Sequence, residues 1–173
     1  MRPAREEDAP AIERLIRVSA RVLQSSHYSK AQINGAIGPV FGVDHQLILD
    51  RTYFLAAHRG RIVGCGGWSK HTTLFGGDAM KVGADIELDP RHGSARIRAF
   101  FVHPDWARCG IGRAILERCE KVIRLAGFRS VELVATLTGE PFYEAHNYSQ
   151  RERFEVSLAN GLTLPVVRMV KHF

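Results

Sequence analysis

The sequence predicts an α+β domain in which helices flank a mixed β-sheet. Three observations carry this expectation. Apolar residues recur at helical spacing near the N-terminus. Residues 53–68 read as strand, tight turn and strand. Residues 95–136 read as strand, helix and strand, and such a crossover makes its two strands parallel.

Taken in order, Asp8 is placed to cap a first helix that starts near Pro10, with Ile12, Leu15, Ile16 and the pair Val22 and Leu23 at helical spacing. A second, short helix falls in SHYSKAQINGAIG, with Ser29 as its cap and Gly35 or Gly38 near its end. YFLAAHRGRIVGCGGW is a hairpin that turns at Arg59-Gly60. The stretch from Ser69 to Ser94 is rich in Gly, Asp and His and has no clear period, so it reads as a long loop or a ragged strand extension. In ARIRAFFV, charged Arg96 and Arg98 alternate with Ile97 and Ala99 before a wholly apolar end, the pattern of a strand wet at its start and buried at its finish. From Ile111 an amphipathic helix of about four turns follows, with Glu117 and Glu120 on the polar face and Gly127 at its C-cap. SVELVAT is the next strand.

A chain of 173 residues suits one domain, spanning 1–173. The N-terminus carries acidic residues and no apolar run, so no signal peptide is expected, and no stretch approaches the ~20 apolar residues of a membrane span. Three cysteines, Cys65, Cys109 and Cys119, show no metal-ligand spacing. The odd count fits reduced thiols and a cytoplasmic location. The net charge of +6 favours anionic ligands. Basic residues are spread along the chain without a helix-turn-helix, zinc or aromatic-basic signature, which argues against nucleic acid as the partner.

The connection HPDWARCGIGR raises a chemical question. The first N–H groups of a helix have no partner within it, and a Ser, Thr, Asp or Asn cap normally satisfies some of them. Here Cys109-Gly110-Ile111-Gly112 supplies no side-chain oxygen. Two readings fit: a glycine turn that merely starts a helix, and a cradle in which free N–H groups and the helix dipole receive a phosphate, with Arg108 and Arg113 beside it. A dinucleotide fingerprint would need a third glycine where Ile115 stands, and no Gly-Lys-Ser or Gly-Lys-Thr ending of a P-loop is present.

FFVHPDWARCGIGRAILERCEKVIRLAGF resembles motif A of the GNAT superfamily, the general acyl-CoA-dependent N-acyltransferases, and GEPFYEAHNY is similar to that family's FYxxxGF segment. The resemblance runs from Arg2 to Lys171. It implies a mixed central sheet of about six to seven strands whose parallel central pair splays apart, and an opening strand reduced here to Met1–Ala4. Ala107 stands where the family most often has Arg or Gln, with Arg108 one position along. Asn147-Tyr148 replaces Gly-Phe, and Thr136 replaces an asparagine. The resemblance further implies acetyl-CoA as co-substrate. Its pantetheine arm would pair with the backbone of Phe101, Val102 and His103 and touch Thr138. Its pyrophosphate would sit on Arg108, Cys109, Gly110, Ile111, Gly112 and Arg113. Tyr143 would be the catalytic acid for the leaving thiolate, and a backbone N–H near Phe101 or Val102 the oxyanion donor. The implied reaction is direct acetyl transfer to a primary amine of a small molecule or peptide, without a metal. A non-catalytic acyl-CoA-binding or sensing module is the alternative, and a homodimer is left open. The base stays unassigned among Asp85, Glu87, Asp89, Glu132, His71, His92 and a water chain. Arg96 and Arg98 are expected either to pair with the acidic segment Asp85 to Asp89 or to bind an acidic part of the acceptor.

Overall fold

The computed structural model describes residues 1–81 and 85–173. Seven strands form one sheet: β1 Arg2–Pro3, β2 Tyr53–His58, β3 Arg61–Ser69, β4 Ala95–Val102, β5 Ser130–Thr136, β6 Ser149–Ser157 and β7 Thr163–His172. Their order is β1-β2-β3-β4-β5-β7-β6, and every neighbouring pair is antiparallel except β4 with β5. Helices α1 Ala9–Leu23, α2 Lys30–Ala36 and α3 His45–Leu49 pack on one face, where Ile12, Ile16 and Leu47 meet Leu164 and Val166. Helices α4 Ile111–Leu125 and α5 Glu140–Glu144 cover the other, where Ile115, Leu116 and Ile123 meet Leu133 and Met169. No described helix is long and apolar enough to cross a membrane.

Local chemistry accounts for most boundaries. Ser29 accepts from the Gln32 N–H while Gln32 reaches back to the Ser29 N–H, a reciprocal cap that fixes the start of α2. Arg59 and Gly60 both adopt positive φ (47° and 78°), the turn that matches the twist of β2 and β3. Gly127 (φ 89°) closes α4. Close packing of α4 on β3 needs Gly66, where a Cβ would stand 2.6 Å from the Phe100 ring and 2.9 Å from Ile115.

Four expectations need correction. Asp8 does not cap α1. It lies in a 3₁₀ turn, Glu6–Asp8, and its carboxylate instead accepts from the Arg5 N–H (2.8 Å) and from Arg2 (2.7 Å twice). The Arg2 guanidinium holds that carboxyl below the usual carboxylate range against the opposing effect of burial. Second, β4 is not wet at its start. Arg98 is 3 % exposed, whereas Phe100 and Val102 at the other end are only half-buried. Third, Arg96 and Arg98 do not pair with the segment Asp85 to Asp89. Arg96 pairs with Glu132 and Arg98 with Asp44 (2.8 Å). Fourth, Glu120 is buried beneath Lys171 (2.8 Å) and the Tyr148 hydroxyl, which donates to it at 3.1 Å. The segment Ser69 to Ser94 is a loop with a 3₁₀ turn at Asp78–Met80 and one bridge between His71 and Glu87. Its residues 82–84 lie outside the described residues.

The parallel pairing of β4 and β5 is confined to Ala95 with Val131 and Arg96 with Glu132. Beyond that point β4 stays paired with β3 and β5 with β7, so the two halves of the sheet part between β4 and β5 and a gap opens there.

Candidate active site

The gap is a cavity of about 580 Å³. Its walls include Phe100 and Val102 from β4, Val134 and Thr136 from β5, and Phe142 and Tyr143 from α5. The loop after β4 forms its mouth. Pro104–Trp106 make a 3₁₀ turn, and Arg108 then adopts φ 64° and Gly110 φ 80°. This left-handed entry into α4 is the conformation that Gly110 permits at no steric cost. No side chain caps α4, and the first intrahelical bond runs from the Ala114 N–H to the Gly110 carbonyl. The N–H groups of Ile111, Gly112 and Arg113 therefore have no partner in the helix, and the residues that carry them line the cavity at the positive end of the helix dipole.

The expected contacts divide along this mouth. Arg108, Gly110, Ile111, Gly112 and Arg113 all line the cavity. The Arg113 side chain turns along the helix to Glu117 (2.9 Å). Cys109 is exposed and not part of the wall, with its thiol toward the Ala107 carbonyl (3.5 Å). Phe101 and Val102 line the cavity but present their backbones oppositely. Phe101 aligns with Cys65 of β3, and two residues on the His103 N–H donates back to the Val63 carbonyl of β3 (2.9 Å). Strand alternation then turns the N–H and C=O of Val102 into the gap. His103 needs correction: its N–H donates to Val63 (2.9 Å), its carbonyl accepts from Trp106 (2.9 Å), and its ring holds Arg61 (2.6 Å). With its backbone committed, and outside the wall, His103 is not available to pair with an incoming arm.

Thr138 lines the cavity and shares a hydrogen bond with His27 (3.1 Å), which ties the α1–α2 connection to the end of β5. Tyr143 is 8 % exposed and fixed by edge contacts with Phe142, Tyr148 and Phe100, at ring separations of 5.0, 5.6 and 6.3 Å. Burial raises its phenol above the ordinary value.

None of the residues weighed as a base lines the cavity. Glu132 is held by Arg96 and Arg168 at the closed end of the strand pair. Asp85 caps Thr73, Glu87 pairs with Lys70, and Asp89 pairs with Arg91 and His92. His71 holds Asp50. Sequence reasoning missed Phe100 and Phe142, which carry only generic apolar signals. It also missed the pair of Arg98 with Asp44, whose partners lie far apart in the chain. Among the described residues no cluster of His, Cys, Asp and Glu could hold a metal ion.

A sheet split between parallel strands, with an uncapped helix N-terminus at the mouth of the split, defines an acyltransferase of the acyl-CoA type. The chain belongs to the GNAT acetyltransferase family: residues 50–150 match the model of the acetyltransferase (GNAT) domain, and the protein is an N-acetyltransferase. No curated protein sequence matches the chain. Among solved structures, it is similar to a GCN5-related N-acetyltransferase from Rhodopseudomonas palustris (22 % identity, TM-score 0.73, covering 99 % of this chain and 94 % of that one). It is also similar to the PaiA N-acetyltransferase from Thermoplasma acidophilum in complex with coenzyme A (14 %, 0.66, 99 % and 97 %). A third likeness is to the ribosomal-protein-alanine N-acetyltransferase from Brucella melitensis (14 %, 0.63, 99 % and 98 %). At these identities the likeness is one of fold.

Proposed function

We propose that the chain is a single catalytic domain that transfers the acetyl group of acetyl-CoA directly to a primary amine. The observation that carries this reading is the free N-terminus of α4 at the mouth of the β4/β5 gap, with Tyr143 on the wall inside. The N–H groups of Ile111, Gly112 and Arg113 take the pyrophosphate, with Arg108 beside them. The Val102 backbone faces the pantetheine arm, and its N–H is the donor aimed at the developing oxyanion. The amine lone pair attacks the thioester carbon, the C–S bond breaks, and the sulfur receives the Tyr143 proton. Water takes the proton lost by the amine, in keeping with the absence of a carboxylate from the described wall, and Tyr143 is reprotonated from solvent.

Gly112→Val tests the phosphate cradle. A Cβ at Gly112 would meet Phe142 at 3.5 Å, an ordinary contact, and no positive φ is disturbed, so the variant should fold. Its larger side chain fills the space before the N–H groups. Calorimetry should show acetyl-CoA affinity reduced at least tenfold with an unchanged melting temperature. Unchanged affinity refutes the cradle.

A further inference from the structure

The far part of the cavity is built against polycations. Away from the Arg108–Arg113 loop, its wall includes the apolar side chains of Leu23, Val40, Phe41, Leu74, Phe75 and Val166. Among the described residues no aspartate or glutamate lines it. Asp44, which pairs with the wall residue Arg98, is 1 % exposed and already neutralised by Arg98 and Lys81. The fixed charges on the wall are those of Arg98, which Asp44 neutralises, and of Arg108 and Arg113 at the cofactor loop. An acceptor with several ammonium groups would lose its water here and meet no counter-charge. An amine on an apolar skeleton would bury that skeleton against matching side chains and need shed only one charge.

One polar side chain of this wall is left without a partner for its acceptor. Gln24, at the C-terminal end of α1, lines the cavity, and its Oε1 is buried without a hydrogen-bond partner. Of the buried side-chain polar atoms left unpaired among the described residues, only this one belongs to a residue of the cavity wall. A carboxamide oxygen accepts only, so its complement is an N–H. On the basis of the acetyltransfer proposed above, we infer that the acceptor is a small primary monoamine with an apolar skeleton, aromatic or branched aliphatic, whose N–H is received by the Gln24 carboxamide once its buried oxygen turns into the cavity.

The test compares 2-phenylethylamine and isoamylamine with spermidine and kanamycin at saturating acetyl-CoA, following release of coenzyme A. The apolar monoamines should lead in kcat/KM by at least tenfold. Gln24→Met, close in shape, should raise KM for 2-phenylethylamine about three- to tenfold, the scale of one neutral hydrogen bond, and leave calorimetric acetyl-CoA affinity and the melting temperature unchanged. Gln24→Glu, which gives the wall the carboxylate it lacks, should narrow the preference over spermidine. Three results overturn the inference while leaving the proposed function standing. The first is preference for spermidine or kanamycin, and the second is no turnover of either apolar amine. The third is a Gln24→Met variant that loses acetyl-CoA affinity at unchanged amine KM, which would hand this oxygen to a pantetheine amide. A protein that does not bind acetyl-CoA at all overturns the proposed function as well.

Discussion

Tyr143→Phe separates chemistry from architecture at this site. The ring is held by Phe100, Phe142 and Tyr148, and phenylalanine keeps all three edge contacts. Among the described residues no protein group hydrogen-bonds the hydroxyl, so its loss orphans nothing. Stability should therefore change by no more than about 0.5 kcal/mol. Acetyl-CoA affinity measured by calorimetry should also hold. Turnover should fall about a hundredfold, roughly 2.7 kcal/mol of transition-state stabilisation, because the departing thiolate loses its proton donor. The pH profile adds a second reading. Burial raises the phenol above its ordinary value of about 10, so Tyr143 keeps its proton throughout the working range. The wild-type rate should then rise with pH as the acceptor amine deprotonates and show no alkaline loss below about pH 10. The phenylalanine variant should trace the same rising limb at a lower level. Joint loss of affinity and turnover would make Tyr143 a binding residue, and loss of neither would make it a packing residue. Either result refutes the acid role.

Two further predictions concern buried groups. Asp44→Asn leaves Arg98 and Lys81 without their shared carboxylate. It should cost about 3–5 kcal/mol in a denaturant titration, with most of that recovered in the double variant Asp44→Leu, Arg98→Met. The buried acids Cys65, Cys119, Tyr53, Tyr143 and Tyr148 all have their ionisation raised by burial, Cys65 to about 12. The folded state holds these protons where the unfolded chain gives them up, so stability is full below about pH 8 and falls above about pH 9. The slope is roughly 1.4 kcal/mol per pH unit for each group ionised only when unfolded, and a melting temperature flat to pH 11 would contradict it.

The elements legible in the sequence were those whose signals are local. The cap at Ser29, the Arg59-Gly60 turn, the period of α4 and its missing cap all act within a few residues, and the structure has each of them. The short helix α3 escaped because five residues carry too little periodicity to register, although Asp44 does cap it. Charges were misplaced for a different reason. Arg98 and Glu120 read as surface residues because their neutralising partners, Asp44 and Lys171, are brought to them only by tertiary folding. At the site, backbone features were readable from glycine spacing. Which side of β4 each backbone faces was not, since that depends on the register with β3.

That register turns on one residue. Gly67 aligns with Arg98 and Cys65 with Phe101, so Ala99 and Phe100 together oppose Gly66, and Ala99 adopts φ 55°. This bulge shifts the alternation of β4 by one. Ile97 faces the α4 side, and strict alternation would send Ala99 and Phe101 there too. Instead Phe101 packs on the α1 side against Phe41 (6.1 Å), and Phe100 faces α4 and reaches the Tyr143 ring. The strand therefore delivers an aromatic wall to the cavity only because Ala99 accepts a left-handed backbone, which costs an L-residue about 1–2 kcal/mol. Glycine relieves that strain and brings back roughly 0.5–1 kcal/mol of chain entropy cost. Ala99→Gly should thus raise stability by about 0.5 kcal/mol in a denaturant titration, whereas glycine in a regular strand would lower it by about as much or more. A loss of about 1 kcal/mol would mean that Ala99 is not held in this conformation in solution. The register that sets Phe100 beside Tyr143 would then fail with it.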